Sequence, residues 1–132
     1  MGRTVQLAVG ALVLCLAAGA AACGDDDGGT DPSPTPNPAT TITIMASGTT
    51  SPKNLTVARG AQVTFVNNDT RARTMSSNPH PAHTDCPELG SIGLLNPGQS
   101  RSSANLNTAR TCGYHDHTDE NNTNVQGTIT IQ

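Results

Sequence analysis

The chemistry open to this chain is concentrated in two stretches, Asn78-Pro-His-Pro-Ala-His-Thr-Asp-Cys86 and Thr108-Ala-Arg-Thr-Cys-Gly-Tyr-His-Asp-His117. Together they carry all four histidines of the chain, His80, His83, His115 and His117, and two of its four cysteines, Cys86 and Cys112. Imidazole nitrogen and thiolate sulfur are donors that transition ions favour. With Gly113 and Tyr114 between them, Cys112 and His115 stand at a spacing from which one tight loop can turn both onto a single ion, provided the thiol is free. Read as an extended arm, His115 and His117 are expected to need a turn at Asp116 before both reach the same ion. Other chemistry has little to build on. There is no glycine-rich phosphate loop and no Gly-x-Ser-x-Gly setting for a nucleophile, so the chain is not expected to be an enzyme.

The segments that must position these residues begin well inside the chain. Arg3 followed by the apolar run Val5 to Ala18 reads as a signal peptide over 1–22, too short and too rich in small residues to be a comfortable membrane span. The run closes on Ala20-Ala-Ala-Cys23, which resembles the lipobox of bacterial lipoproteins. That resemblance implies that Cys23 becomes the first mature residue and carries lipid, which places the protein outside the cytoplasm, tethered to a membrane in the periplasm or at the cell surface. Residues 23–39 are Asp, Gly, Pro, Ser, Thr and Asn with almost nothing to bury, so they read as a disordered linker stiffened by its prolines. Setting aside Arg3 and the acids Asp25, Asp26, Asp27 and Asp31 leaves six acids against six bases. A near-neutral domain without a polybasic patch gives no reason to expect nucleic acid.

Residues 40–132 read as one domain. Thr40 to Met45 alternates polar and apolar residues with period two and is rich in β-branched types, the pattern of a strand with one buried face. Asn54 to Val57 and Ala61 to Val66 continue the pattern. Thr70 to Ser77 is a further candidate strand whose facing the sequence leaves open, with Met75 read as core and Arg71 and Arg73 as a solvated face. Residues 78–97 are broken by Pro79, Pro81 and Pro87, with Leu89, Ile92, Leu94 and Leu95 expected to cap the core. A polar edge strand over 99–106, an arm from Thr111 to His115, a polar loop over 116–124 and a last strand from Val125 to Ile131 complete it. About seven short strands without a helical period predict an antiparallel Greek-key β-sandwich. One Phe, one Tyr and no Trp make a thin core, for which a cross-link or a metal is a useful addition.

Four pieces, in order, resemble the cupredoxins, the blue-copper fold: Pro52 to Asp69, Leu95-Asn-Pro-Gly-Gln-Ser100, Cys112-Gly-Tyr-His115 and Gly127-Thr-Ile-Thr-Ile131. The resemblance implies copper at one end of the sandwich, held by a histidine after the Asn-Asp turn and by a cysteine, a histidine and a methionine from the loop before the last strand. Carried over, Cys112 matches the cysteine and His115 the second histidine. The other two positions depart from the pattern. Arg73 stands where the first histidine belongs, and a guanidinium has no lone pair to give a metal. Val125 stands where the methionine belongs.

Two arrangements would restore a site. In one, His80 or His83 swings in from its loop, Cys112 remains a thiolate, and His117 or Met75 completes the set. In the other, Cys86 and Cys112 form a disulfide, as paired cysteines do in an oxidising compartment. The site is then an all-imidazole cluster of His80, His83, His115 and His117, suited to Cu(II) with zinc as competitor. A bridged sulfur is no thiolate ligand, so the two exclude each other. The sequence therefore points to a lipid-anchored copper protein, carrying electrons or handling copper alongside a redox or copper-trafficking partner. The plainer alternative is a metal-free scaffold acting as an interaction module, with His80 and His83 merely solvated beside their prolines.

Overall fold

The structure, a computed structural model, describes residues 38–132. The expected signal peptide, Cys23 and all but the end of the expected linker lie outside the described residues.

Alternation of β-branched and polar residues builds the sandwich, because side chains two apart share a face of a strand. Nine strands run in chain order: β1 Thr41–Ile44, β2 Thr50–Ser51, β3 Asn54–Val57, β4 Thr64–Asn67, β5 Arg73–Ser77, β6 Gly93–Leu95, β7 Ser100–Ser102, β8 Arg110–Asp116 and β9 Gly127–Ile131. The only helical elements among the described residues are short 3-10 turns at Pro38–Thr40, Pro87–Ser91 and Thr123–Val125. One sheet has the order β2-β1-β4-β7 and the other β3-β9-β8-β5-β6.

The sandwich matches the expectation, but its sheets are mixed rather than purely antiparallel. β1 runs parallel to β4, with Ile42 opposite Phe65, and β3 runs parallel to β9, with Leu55 opposite Ile129. Between β1 and β4 the chain leaves the first sheet to form β3 in the second, so β4 returns in the same direction as β1. A reading built from hairpins alone cannot supply that crossing. The polar strand expected over 99–106 shrinks to β7, and Val125 belongs to a 3-10 turn ahead of β9.

Ile42, Ile44 and Phe65 from the first sheet, with Val63 just ahead of β4, meet Met75, Cys112, Tyr114, Ile129 and Ile131 from the second. Phe65 and Tyr114 pack edge to face at 5.1 Å between ring centroids, an arrangement that adds to the area they bury. The Tyr114 hydroxyl donates to the Lys53 carbonyl at 3.0 Å, and the missing side chain of Gly127 is what leaves room for that ring beside the Lys53 carbonyl. Leu89, Ile92 and Leu95 cap the core as expected, whereas Leu94 turns outward and is 49% exposed.

The solvated face expected for Arg71 and Arg73 needs correction. Arg71 is exposed, but Arg73 points inward with Met75 and Ser77 and is only 2% exposed. Its guanidinium donates to Asp69 Oδ2 at 2.6 Å and to Asp116 Oδ2 at 3.1 Å. A buried cation is tolerable only when paired and hydrogen-bonded, and two carboxylates, one four residues away and one from β8, supply both conditions.

Candidate metal centre

β8 sorts its residues by parity. Cys112, Tyr114 and Asp116 point into the sandwich, and Gly113 and His115 point to the outer face of the five-stranded sheet, His115 opposite Ser76 of β5. His117 follows in the same register, its backbone N–H donating to the Thr74 carbonyl at 2.7 Å beyond the end of the strand. The turn expected at Asp116 is therefore unnecessary. Residues 115 and 117 are one full strand period apart and emerge on the same side.

The other two imidazoles arrive from the loop between β5 and the Pro87–Ser91 turn, which folds over that outer face. The Asn78 N–H donates to the Gly113 carbonyl at 3.0 Å, the Asp85 N–H to the Asn78 carbonyl at 2.8 Å, and the His83 N–H to the Pro79 carbonyl at 2.7 Å. His83 itself has φ 53, the left-handed region that a side chain with a Cβ rarely occupies. Its surroundings hold it there. Its ring Nδ1–H donates to the Ser77 carbonyl at 2.7 Å, and its own carbonyl accepts from the Ser77 hydroxyl at 2.8 Å. An unfavourable backbone conformation secured on both sides of the residue is the kind of arrangement found at ligand clamps. Cys86, at the end of the loop, is bridged to Cys112 with 5.7 Å between Cα atoms, so the loop is fastened covalently to the strand beneath it.

These elements bring all four histidines together. One nitrogen from each of His80, His83, His115 and His117 lies within 4.8 Å of the others. Nitrogens about 2.0–2.1 Å from one zinc or copper ion are at most roughly 4 Å apart, so side-chain movements of less than an ångström close the set. Rings lie 4.8 Å apart for His80 and His117, 4.9 Å for His83 and His117, and 5.2 Å for His83 and His115. His80 and His117 are open to solvent, His83 is half-buried and His115 is buried.

The hydrogen bonds decide which nitrogens carry lone pairs. Because the Ser77 carbonyl can only accept, Nδ1 of His83 carries a proton, and in the neutral ring the lone pair is on Nε2. That Nε2 accepts from His117 Nδ1–H at 3.0 Å. His115 donates its Nδ1–H to Asn78 Oδ1 at 2.7 Å, which leaves its Nε2 as the lone-pair nitrogen. His115 Nε2 is buried and has no hydrogen-bond partner among the described residues. A buried acceptor without a partner is costly in a folded protein, and a metal ion is one group that would satisfy it. Burial holds the His115 pKa below the usual histidine value, reinforced by His83, His80 and His117 and only partly opposed by Asp116. The ring is thereby kept neutral, the form a metal needs. Four imidazoles, with the lone pair of His115 left on an unpartnered Nε2, are a donor set that fits a transition ion.

Cys112 is not a member of this set. It lies on the opposite face of β8 and its sulfur is engaged by Cys86, so the arrangement with a free thiolate is corrected in favour of the bridged one. Met75 is 1% exposed within the core, away from the imidazoles. Residue 73, where the family resemblance calls for a histidine ligand, is occupied by the buried ion triad with Asp69 and Asp116. The residues not singled out from sequence are Asn78, Gly113 and Ser77. The only signal for them was that Asn78 and Gly113 lie within the two histidine-bearing stretches.

No protein-family model and no curated protein matches this chain. Solved structures do. A purple cupredoxin from Nitrosopumilus maritimus is 20% identical with a TM-score of 0.56, over 70% of this chain and 98% of that one. Oxidised plastocyanin from Dryopteris crassirhizoma is 21% identical with a TM-score of 0.54, over 70% of this chain and 99% of its own. A Cu-containing nitrite reductase from Thermus scotoductus is 18% identical with a TM-score of 0.53, over 75% of this chain but only 23% of the enzyme. At these identities the likeness concerns the fold, and the fold is that of a cupredoxin.

Proposed function

We propose that this cupredoxin-like domain binds one copper ion through His80, His83, His115 and His117, and that it handles copper rather than passing electrons through a blue centre. The observation that carries this reading is the meeting of four imidazoles from two distant segments, one of which presents a buried nitrogen with no partner among the described residues. An all-nitrogen set suits Cu(II), which outcompetes zinc for such donors under the ordinary order of divalent affinities. The sulfur that would make a blue site is engaged in the disulfide. Two exposed ligands leave the ion accessible to a protein that delivers or removes it. In the same proposal, Cys23 anchors the chain by lipid to the outer side of a membrane, the linker gives the domain reach, and the domain works without catalysing a reaction of its own.

Titration of the purified chain with Cu(II) and with Zn(II), followed by calorimetry and electron paramagnetic resonance, tests the proposal. One Cu(II) per chain with nitrogen hyperfine structure is expected, weakened at least tenfold in His83→Ala and His115→Ala. Equal binding by wild type and both variants, or no binding at all, overturns it and leaves the scaffold reading, which the filling of the position at residue 73 by an ion triad favours.

A further inference from the structure

We infer that Asn78 is a positioning residue that sets the tautomer of His115, and that Gly113 is the gap in the sheet surface that lets it do so. The consequence for metal binding rests on the proposed function; the tautomer itself does not.

His115 projects from the outer face of β8, and the Asn78 side chain lies beside it, its Oδ1 2.7 Å from His115 Nδ1. The oxygen can only accept, so it holds the imidazole proton on Nδ1 and leaves Nε2 as the lone-pair nitrogen. That Nε2 is the buried atom with no partner among the described residues. Without the amide, the proton has two competing locations, and on Nε2 it would take up the lone pair that the buried nitrogen otherwise offers a metal.

The backbone is arranged around this contact. Gly113 lies two residues before His115 and therefore on the same face of β8. A Cβ built on Gly113 would overlap Asn78 Nδ2 and Cγ, so any other residue would push the amide off His115. The Asn78 N–H donates to the Gly113 carbonyl at 3.0 Å and the Asn78 carbonyl accepts from the Asp85 N–H at 2.8 Å. These main-chain bonds fix where the side chain starts, and they survive replacement of the side chain. An amide held this way is the outer partner that metal-binding histidines generally need, and loss of such a partner typically costs about 10–100-fold in affinity.

The test begins with the metal-free full chain. Nitrogen-15 NMR is expected to show His115 in a single tautomer, protonated at Nδ1, in the wild type and in Asn78→Asp, which keeps an acceptor. A mixture of tautomers is expected in Asn78→Ala and in Gly113→Ala. In Zn(II) and Cu(II) titrations, Asn78→Ala is expected to bind about 10–100-fold more weakly and Asn78→Asp within a few-fold of wild type. A His115 tautomer unchanged in Asn78→Ala, or an Nδ1-free ring in the wild type, overturns the inference. If the wild type binds neither ion, the proposed function fails, and the metal-free spectra still decide the role of Asn78. Should Asn78→Ala not fold, the wild-type and Asn78→Asp spectra suffice.

Discussion

His115 and Asp116 are neighbours on β8 that serve opposite sides of one sheet. The His115 ring faces outward among the other imidazoles, and the Asp116 carboxylate faces inward, accepting from Arg73 Nη1 at 3.1 Å and from the Thr74 N–H at 3.1 Å. The Asp116 carboxylate also accepts from the Thr118 hydroxyl at 2.8 Å, which pins the chain on either side of His117. Asp116→Ala should therefore harm both faces. It strands Arg73 with one carboxylate, at a cost of about 3–5 kcal/mol for a broken buried pair, and loosens the turn that carries His117. Urea unfolding measures the first effect and metal titration the second.

Arg73→His separates the family resemblance from the geometry. If residue 73 were a dormant ligand position, histidine there would strengthen copper binding. The structure directs that side chain into the sandwich, away from the cluster, so the expected outcome is no gain in affinity and a loss of stability of about 3–5 kcal/mol from the uncompensated Asp69 and Asp116. A tighter copper isotherm for Arg73→His would show that residue 73 can reach the ion.

The disulfide should be visible in two ways. Thiol titration of the unfolded chain before and after reduction should show two additional thiols, and Cys86→Ser with Cys112→Ser should lower stability by about 2–4 kcal/mol. Copper added to the unreduced protein should give no intense thiolate charge-transfer band. An intense blue colour would place Cys112 among the ligands.

Acid should lower the stability of the domain over two pH ranges whose signs follow from the shifts. Burial, aided by the other three imidazoles, holds the folded pKa of His115 below its usual value, so folding excludes its proton and stability falls as pH drops below about 6.5 toward that lowered value. Burial opposes the Asp116 charge, but the Thr74 N–H, the Thr118 hydroxyl and Arg73 outweigh it, and its pKa is lowered. The Asp69 pKa is lowered chiefly by its hydrogen bond to Arg73. The stability these carboxylates confer is present above about pH 4 and is lost as pH falls through their folded values. Chemical denaturation as a function of pH should show both limbs, and His115→Asn should remove the upper one.

Much of this was legible because period-two alternation is a local signal. Ile42 and Ile44, or Ile129 and Ile131, announce an inward face without reference to anything distant. The convergence of His80 and His83 on His115 and His117 was suggested only by the crowding of the chain's histidines, since the loop that delivers them is shaped by prolines and by bonds to β8. Arg73 was misread because its two carboxylates lie four residues and 43 residues away. The Asp69 four residues back could have hinted at a pair, but nothing local marks Asp116 or the inward register of the strand. The pairing of Asn78 with Gly113 was invisible for the same reason, as a glycine in a strand does not say which side chain takes the space.

If the domain carries a metal ion as proposed, the covalent fastening of Cys86 to Cys112 bears on how quickly it exchanges that ion. Two imidazoles from the loop and two from the arm are already neighbours without an ion, so capture would demand little folding and release would leave the loop in place. Traffic through such a site would be governed by ligand swapping at its water-facing rim, at His80 and His117, while the protein beneath keeps its shape.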